Sequence, residues 1–117
     1  MARVLCALVA ILALGMTACG GSAAPSGGAA LRVTLSEFKF TPDRWEVSAG
    51  APVKLELKNA GTVEHDFAVE QVAMKVHAPA GRTVEKTVGA LAAGTYQVLC
   101  SIPGHKEAGM VGTLTVK

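Results

Sequence analysis

The segment CSIPGHKEAGM, from Cys100 to Met110, places a cysteine, a histidine and a methionine at steps of five residues. Five residues along an α-helix rotate a side chain by about 140°, and five along a strand send successive side chains to opposite faces. Neither regular element brings the three side chains together. A loop does, and Pro103 and the two glycines of the segment are residues typical of loops.

His65, in the upstream segment NAGTVEHDF, adds a second imidazole to this set. Two imidazoles, a thiolate and a weak thioether suit a copper ion that alternates between Cu(I) and Cu(II). A structural zinc site uses four firm ligands, among which methionine is not found. Taken singly, each residue has an ordinary alternative, such as a surface histidine, a methionine in the core or an inert buried cysteine. The combination of four favours a mononuclear copper site.

Short alternating segments must position these residues. From Leu31 to Leu35 every second residue is apolar, whereas Phe38 and Phe40 continue with the opposite parity, which predicts a bulge or kink near Ser36. Turn residues follow every eight to twelve positions, and no helical period appears. The pattern predicts an all-β fold, an antiparallel Greek-key β-sandwich of seven or eight strands. The Cys–His–Met loop and the start of the His65 strand are then expected at one end of the sandwich.

The first residues, MARVLCALVAILALGMTACGG, have the layout of an export signal, with an apolar run shorter than the about twenty residues of a membrane span. We predict a signal peptide over 1–18 and a lipid on Cys19, because MTAC resembles a bacterial lipobox. Ordinary signal cleavage within 17–24 is the alternative. A flexible tether over 19–30 and a domain over 31–117 complete the predicted organisation. The predicted location is the outer face of the cell membrane or the periplasm.

The mature chain would carry ten basic and nine acidic residues without a basic run, so nucleic acid is not an expected partner. Cys100 would be its one thiol apart from the lipidated Cys19. A free thiol outside the cytoplasm is a liability unless the protein uses it. This again favours a metal-binding role for Cys100, although a buried, inert thiol remains the alternative.

From Leu31 to the C-terminus, the sequence resembles the type 1 blue copper proteins, the cupredoxins, in its CSIPGHKEAGM and NAGTVEHDF segments. The resemblance implies one copper per chain, with His65, Cys100, His105 and Met110 as ligands. The loop spacing is similar to that of rusticyanin and sulfocyanin. The resemblance also implies a bridge between the residues after the first histidine and after the cysteine, here Asp66 and Ser101. Many members carry asparagine at the first of these positions.

Four ligands would satisfy the copper and leave no open position for a substrate, and the sequence has no second histidine cluster, so we predict an electron carrier rather than an enzyme. We expect the carrier to be a monomer. Its redox partners, such as membrane-bound oxidases or reductases, would dock weakly on an apolar patch around the edge of the loop histidine. In this chain the patch comprises Ile102, Pro103, His105 and Ala108. Two alternatives stay open at this point. The protein stores or delivers copper, or it is a metal-free sandwich domain with a structural role.

Overall fold

The computed structural model describes residues 30–117, which form two β-sheets packed face to face. The predicted signal peptide, Cys19 and nearly all of the tether lie outside the described residues. The strands are β1 (Ala30–Ser36), β2 (Lys39–Thr41), β3 (Arg44–Val47), β4 (Val53–Asn59), β5 (His65–Val69), β6 (Met74–Ala78), β7 (Thr83–Val88), β8 (Gly94–Leu99) and β9 (Val111–Val116). A short 3-10 helix, Glu70–Val72, is the only helical element among these residues. No helix in the described part of the chain has the length and apolar character needed to cross a membrane.

The first sheet has the strand order β2-β1-β4-β7, and the second has the order β3-β9-β8-β5-β6. The predicted β-sandwich is therefore confirmed, with nine strands in the described residues instead of seven or eight. Both sheets are mixed and not wholly antiparallel as predicted, because β1 pairs with β4 and β3 pairs with β9 in parallel. After β2 the chain crosses to the other sheet for β3 and returns in β4, so β4 runs in the same direction as β1.

The change of parity after Leu35 arises from a hairpin, so the predicted bulge near Ser36 is wrong. Ser36 pairs with Lys39 in the antiparallel register of β1 and β2. Glu37 and Phe38 form the two-residue turn between these strands, and Phe38 has a left-handed φ of 60°. A turn reverses the chain and restarts the alternation, which produces the same sequence pattern as a bulge.

The core lies between the sheets and is built from the inward-facing residues of the alternating strands. At its centre Phe67 packs edge-to-face against Trp45, with ring centroids 5.3 Å apart, and against Phe40, at 5.9 Å. All five residues of β5 are buried, because this strand lies between β8 and β6. Its first two residues, His65 and Asp66, are polar and nevertheless buried. The start of β5 therefore faces the loop between β8 and β9.

Candidate metal centre

Two segments of the chain, the start of β5 and the loop between β8 and β9, meet at one end of the sandwich. His65 is the first residue of β5, and Cys100 directly follows β8. His105 lies in the middle of the segment between β8 and β9, and Met110 directly precedes β9. His65, Cys100 and Met110 are fully buried, whereas His105 is half-buried. The structure thus places all four predicted ligands on the loops and strand ends that the sequence indicated.

Three of the four side chains direct their potential ligand atoms to one point. The Nδ1 atoms of His65 and His105 lie 3.2 Å apart, and Cys100 Sγ lies 3.4 Å from His105 Nδ1. All three atoms lie within 4.8 Å of one another. Ligand atoms about 2.0–2.3 Å from one ion are separated by about 3.2–3.8 Å when the angles at the ion are about 100–120°. The separations observed here suit a shared metal ion.

The chemistry of this group also suits a shared cation. An imidazole nitrogen that is not protonated carries a lone pair, and so does a thiolate sulfur. Two such nitrogens 3.2 Å apart and a sulfur beside them, enclosed together, repel one another unless a proton or a metal lies between them. The set of two imidazoles and one thiolate fits copper.

The Cys–His–Met segment has its own backbone scaffold. The Cys100 N–H donates to the Met110 carbonyl at 3.1 Å, and the Met110 N–H donates to the His105 carbonyl at 3.0 Å. Gly104 and Gly109 have φ values of 86° and 103°, which side-chain-bearing residues rarely adopt. These bonds hold both ends of the loop and its central histidine in one arrangement, as the chemistry of its turn residues predicts.

Met110 belongs to the buried core cluster below the loop. Its backbone is hydrogen-bonded to the backbones of both Cys100 and His105, so Met110 is held next to these two residues. If copper binds here, the Met110 thioether would be a weak fourth ligand. Its role as the fourth ligand stays a prediction.

Asp66 links the two parts of the site. Its backbone N–H donates to Cys100 Sγ at 3.4 Å. Its carboxylate accepts the Ser101 N–H at 2.6 Å and also the Ser101 hydroxyl. The side chain is buried, and Lys75 Nζ lies 3.9 Å from its Oδ2 atom at the surface. The bridge that the resemblance implies is therefore present here, with aspartate where many members of the family carry asparagine.

Burial controls the protonation of the candidate ligands. It lowers the pKa of His65, and the nearby His105 lowers that pKa further, so the His65 imidazole is neutral at pH 7. Burial raises the pKa of the Cys100 thiol, against the opposing effect of the backbone N–H groups of Asp66 and Ile102. His65 Nε2 is buried and has no hydrogen-bond partner among residues 30–117.

The other predicted docking residues lie on the same loop as the half-buried His105. Ile102 is half-buried and packs against the core, while Pro103 and Ala108 are exposed. The structure adds Phe38, whose ring lies edge-on to the His105 ring, with centroids 5.1 Å apart and an interplanar angle of 88°. The sequence analysis did not identify Phe38 as part of the site, because the change of parity near Ser36 was interpreted as a bulge and not as a turn.

Comparisons with known proteins agree with this site. The family described as "Cupredoxin-like domain" matches residues 5–116. A plastocyanin of Prochlorothrix hollandica is 31% identical over 109 residues, which cover 82% of this chain and 79% of that protein. A "Copper-resistant cuproprotein CopI" of Rubrivivax gelatinosus is 32% identical over 108 residues, which cover 74% of this chain and 66% of that relative.

A solved structure shows the same architecture. Auracyanin A, described as a "blue" copper protein from Chloroflexus aurantiacus, is 26% identical and superposes with a TM-score of 0.67. The match covers 78% of this chain and 100% of auracyanin A. With the family pattern matched over nearly the whole chain, the two-sheet fold and the convergent His–Cys–His group, this protein belongs to the cupredoxin family.

Proposed function

We propose that this protein is an electron carrier that binds one copper ion per chain at His65, Cys100, His105 and Met110. The observation that carries the proposal is the convergence of two imidazole Nδ1 atoms and the Cys100 sulfur. When bound, copper supplies a one-electron Cu(I)/Cu(II) couple. The names of plastocyanin and of the "blue" copper protein auracyanin A, both similar to this chain, support the same proposal.

The residues around the site suit electron transfer because they resist rearrangement. His65 is held in β5 between two neighbouring strands, and the backbone bonds of Met110 hold the loop closed. Asp66 hydrogen-bonds to the Cys100 sulfur through its backbone N–H and to Ser101 through its carboxylate. A site that keeps one geometry in both oxidation states exchanges an electron with little reorganisation. Four protein ligands leave no position for a substrate, so we propose that the protein is not an enzyme.

His105 is the proposed route for the electron. It is the one of the three convergent residues that is half-buried, and exposed Pro103 and Ala108 lie on the same loop. A small apolar surface of this kind suits brief docking of a redox protein, which must bind weakly enough to leave. Membrane-bound oxidases or reductases are the proposed partners, and the carrier is proposed to act as a monomer without a nucleic-acid partner.

The proposed location follows from the N-terminal sequence. Export by residues 1–18 and lipid attachment at Cys19 would hold the domain at the outer face of the membrane by a tether ending near Ala30. This arrangement would keep the carrier close to membrane-bound partners. Mass determination of the chain purified from membranes tests it, since a diacylated or triacylated Cys19 has a distinct mass.

Copper storage or delivery is the second candidate, favoured by the printed name of the copper-resistance relative CopI. The burial of His65, Cys100 and Met110 opposes it, because a delivery site needs ligands that a receiving protein can reach. The rate of copper transfer to a competing chelator separates the two functions. Slow transfer with fast electron exchange supports the carrier, and the reverse supports copper handling.

The direct test is a visible spectrum of the purified chain titrated with Cu(II), beside a Cys100→Ser variant. An intense blue or green thiolate-to-copper band that saturates at one copper, bleaches with reductant and is absent in the variant is the expected result. Copper binding without this band would contradict the type 1 site and favour copper handling. Failure to bind copper would refute both functions.

A further inference from the structure

The turn between β1 and β2 reaches across the end of the sandwich to the candidate metal centre. Four large apolar residues are exposed in the described part of the chain, and Phe38, at 46%, is the aromatic one among them. Its backbone adopts φ 60°, a left-handed conformation that a bulky side chain disfavours. Nevertheless its ring packs edge-on against His105. Strained backbone of this kind persists where surrounding contacts require it and is found at functional sites.

Glu37, the other turn residue, contacts the second histidine-bearing segment. Its Oε1 atom accepts hydrogen bonds from the backbone N–H and the hydroxyl of Thr62, in the loop directly before His65. The fit here is close. A Cβ atom added to Gly61 would lie 2.7 Å from Glu37 Oε1 and 3.1 Å from His65 Nε2. The carboxylate therefore lies over Gly61, beside the His65 ring.

The two contacts join parts of the molecule that the sheets do not join. Glu37 and Phe38 belong to the hairpin of the first sheet, whereas His65 and the loop of His105 belong to the second. Within the second sheet, β5 pairs with β8 through the single register pair Ala68↔Leu99, which contains neither histidine. The strand pairing and the bonds of Asp66 to Cys100 and Ser101 hold the bases of the two segments together, but none of these contacts touches the His105 ring.

We propose that the Glu37–Phe38 turn is a clamp that sets the distance between the two histidine rings. Phe38 is a positioning residue for His105, and Glu37 is a positioning residue for the loop before His65. The inference rests on the proposed copper site. In the copper-free chain, the turn holds the two histidines in the arrangement that binds the metal. The clamp then slows copper release, since the His105 loop cannot swing outward while the Phe38 ring lies against it.

The test compares Phe38→Ala, Phe38→Tyr and Glu37→Ala, with Val72→Ala as the control. Val72 is an exposed apolar residue on the 3-10 helix and has no part in the site. The first readout is the rate at which a high-affinity chelator removes copper. We expect about a tenfold increase for Phe38→Ala and for Glu37→Ala, the lower end of the effect of contacts that orient metal ligands. Phe38→Tyr, which keeps the ring, and Val72→Ala should release copper at the original rate.

The second readout uses the copper-free chain, so it does not depend on the proposed function. Because the Phe38 ring lies 5.1 Å from the His105 ring, its ring current should shift the NMR resonances of the His105 ring protons. In Phe38→Ala these resonances should move and broaden, while thermal unfolding should still show a folded domain. Glu37→Ala should broaden His65 instead. Unchanged copper release together with unchanged histidine resonances in both variants would overturn the clamp. A chain that binds no copper but shows the expected NMR changes would refute the copper site and keep the clamp.

Discussion

Asp66→Asn should raise the reduction potential of the copper site. The Asp66 carboxylate is buried and bonded to Ser101, and its own backbone N–H contacts the Cys100 sulfur at 3.4 Å. A negative charge there stabilises Cu(II) more than Cu(I), so its removal favours the reduced state. Asparagine keeps the shape of the side chain. Its oxygen still accepts the Ser101 N–H, and its NH₂ group donates to the Ser101 hydroxyl oxygen.

The size of the shift follows from Coulomb's law. A unit charge about 6 Å from the centre of charge change, at an effective dielectric constant of about 20–40, contributes about 1.4–2.8 kcal/mol. Since 100 mV corresponds to about 2.3 kcal/mol per electron, the potential should rise by about 60–120 mV. Lys75, 3.9 Å from the carboxylate and 60% exposed at its side chain, remains in the variant. Its own removal in Lys75→Gln should lower the potential by a smaller amount.

Protein-film voltammetry or redox titration of the visible band measures the shift. Glu64→Gln is the matched control. Glu64 is also a carboxylate next to a candidate ligand, but its side chain is 59% exposed and faces His77 at 3.4 Å, so solvent screens it. We expect less than about 20 mV from this control. An Asp66→Asn variant that keeps its absorption band and its original potential would refute the reasoning, because the charge would then have no effect at the metal.

Three further predictions concern the stability of the copper-free chain, measured by urea unfolding. Gly112→Ala should destabilise the copper-free chain by about 1–3 kcal/mol, because the added Cβ would lie 2.6 Å from the Trp45 ring. Gly89→Ala is the control, since a Cβ there would have open space around it and should leave the stability unchanged. Equal losses of stability in the two variants would contradict the argument. Phe67→Ala should cost about 3–5 kcal/mol, since this fully buried ring is central to the aromatic cluster, and a loss below 1 kcal/mol would exclude that role. The hydrogen bond from the Thr62 backbone N–H lowers the pKa of the Glu37 carboxyl from its ordinary value of 4.5. The ionised Glu37 therefore stabilises the folded chain above pH 4.5, and this contribution is lost as the pH falls through the lowered pKa. The stability difference between the original chain and Glu37→Gln should therefore be constant from pH 7 to about 5 and should shrink on further acidification, whereas a constant difference down to pH 3 would contradict this linkage.

Much of the site could be predicted from the sequence because its residues carry specific chemistry at short separations. Cys100, His105 and Met110 lie in one eleven-residue segment whose glycine and proline residues indicate a loop. Alternating apolar residues predicted strands and a sandwich, since burial of one face is a local, period-two property. The same locality explains the error near Ser36, where a bulge and a hairpin turn leave the same parity change.

Tertiary structure decided the features that depend on which distant segments become neighbours. The parallel pairings of β1 with β4 and of β3 with β9 follow from the path of the chain between sheets, and side-chain alternation carries no information on strand direction. The contact between Phe38 and His105 joins residues far apart in sequence, and so does the bond from Thr62 to Glu37. The sequence by itself determined which residues have the chemistry to bind copper. Packing of the two sheets determined how close those residues lie and which turn covers them, because only the closed sandwich brings its loop ends together.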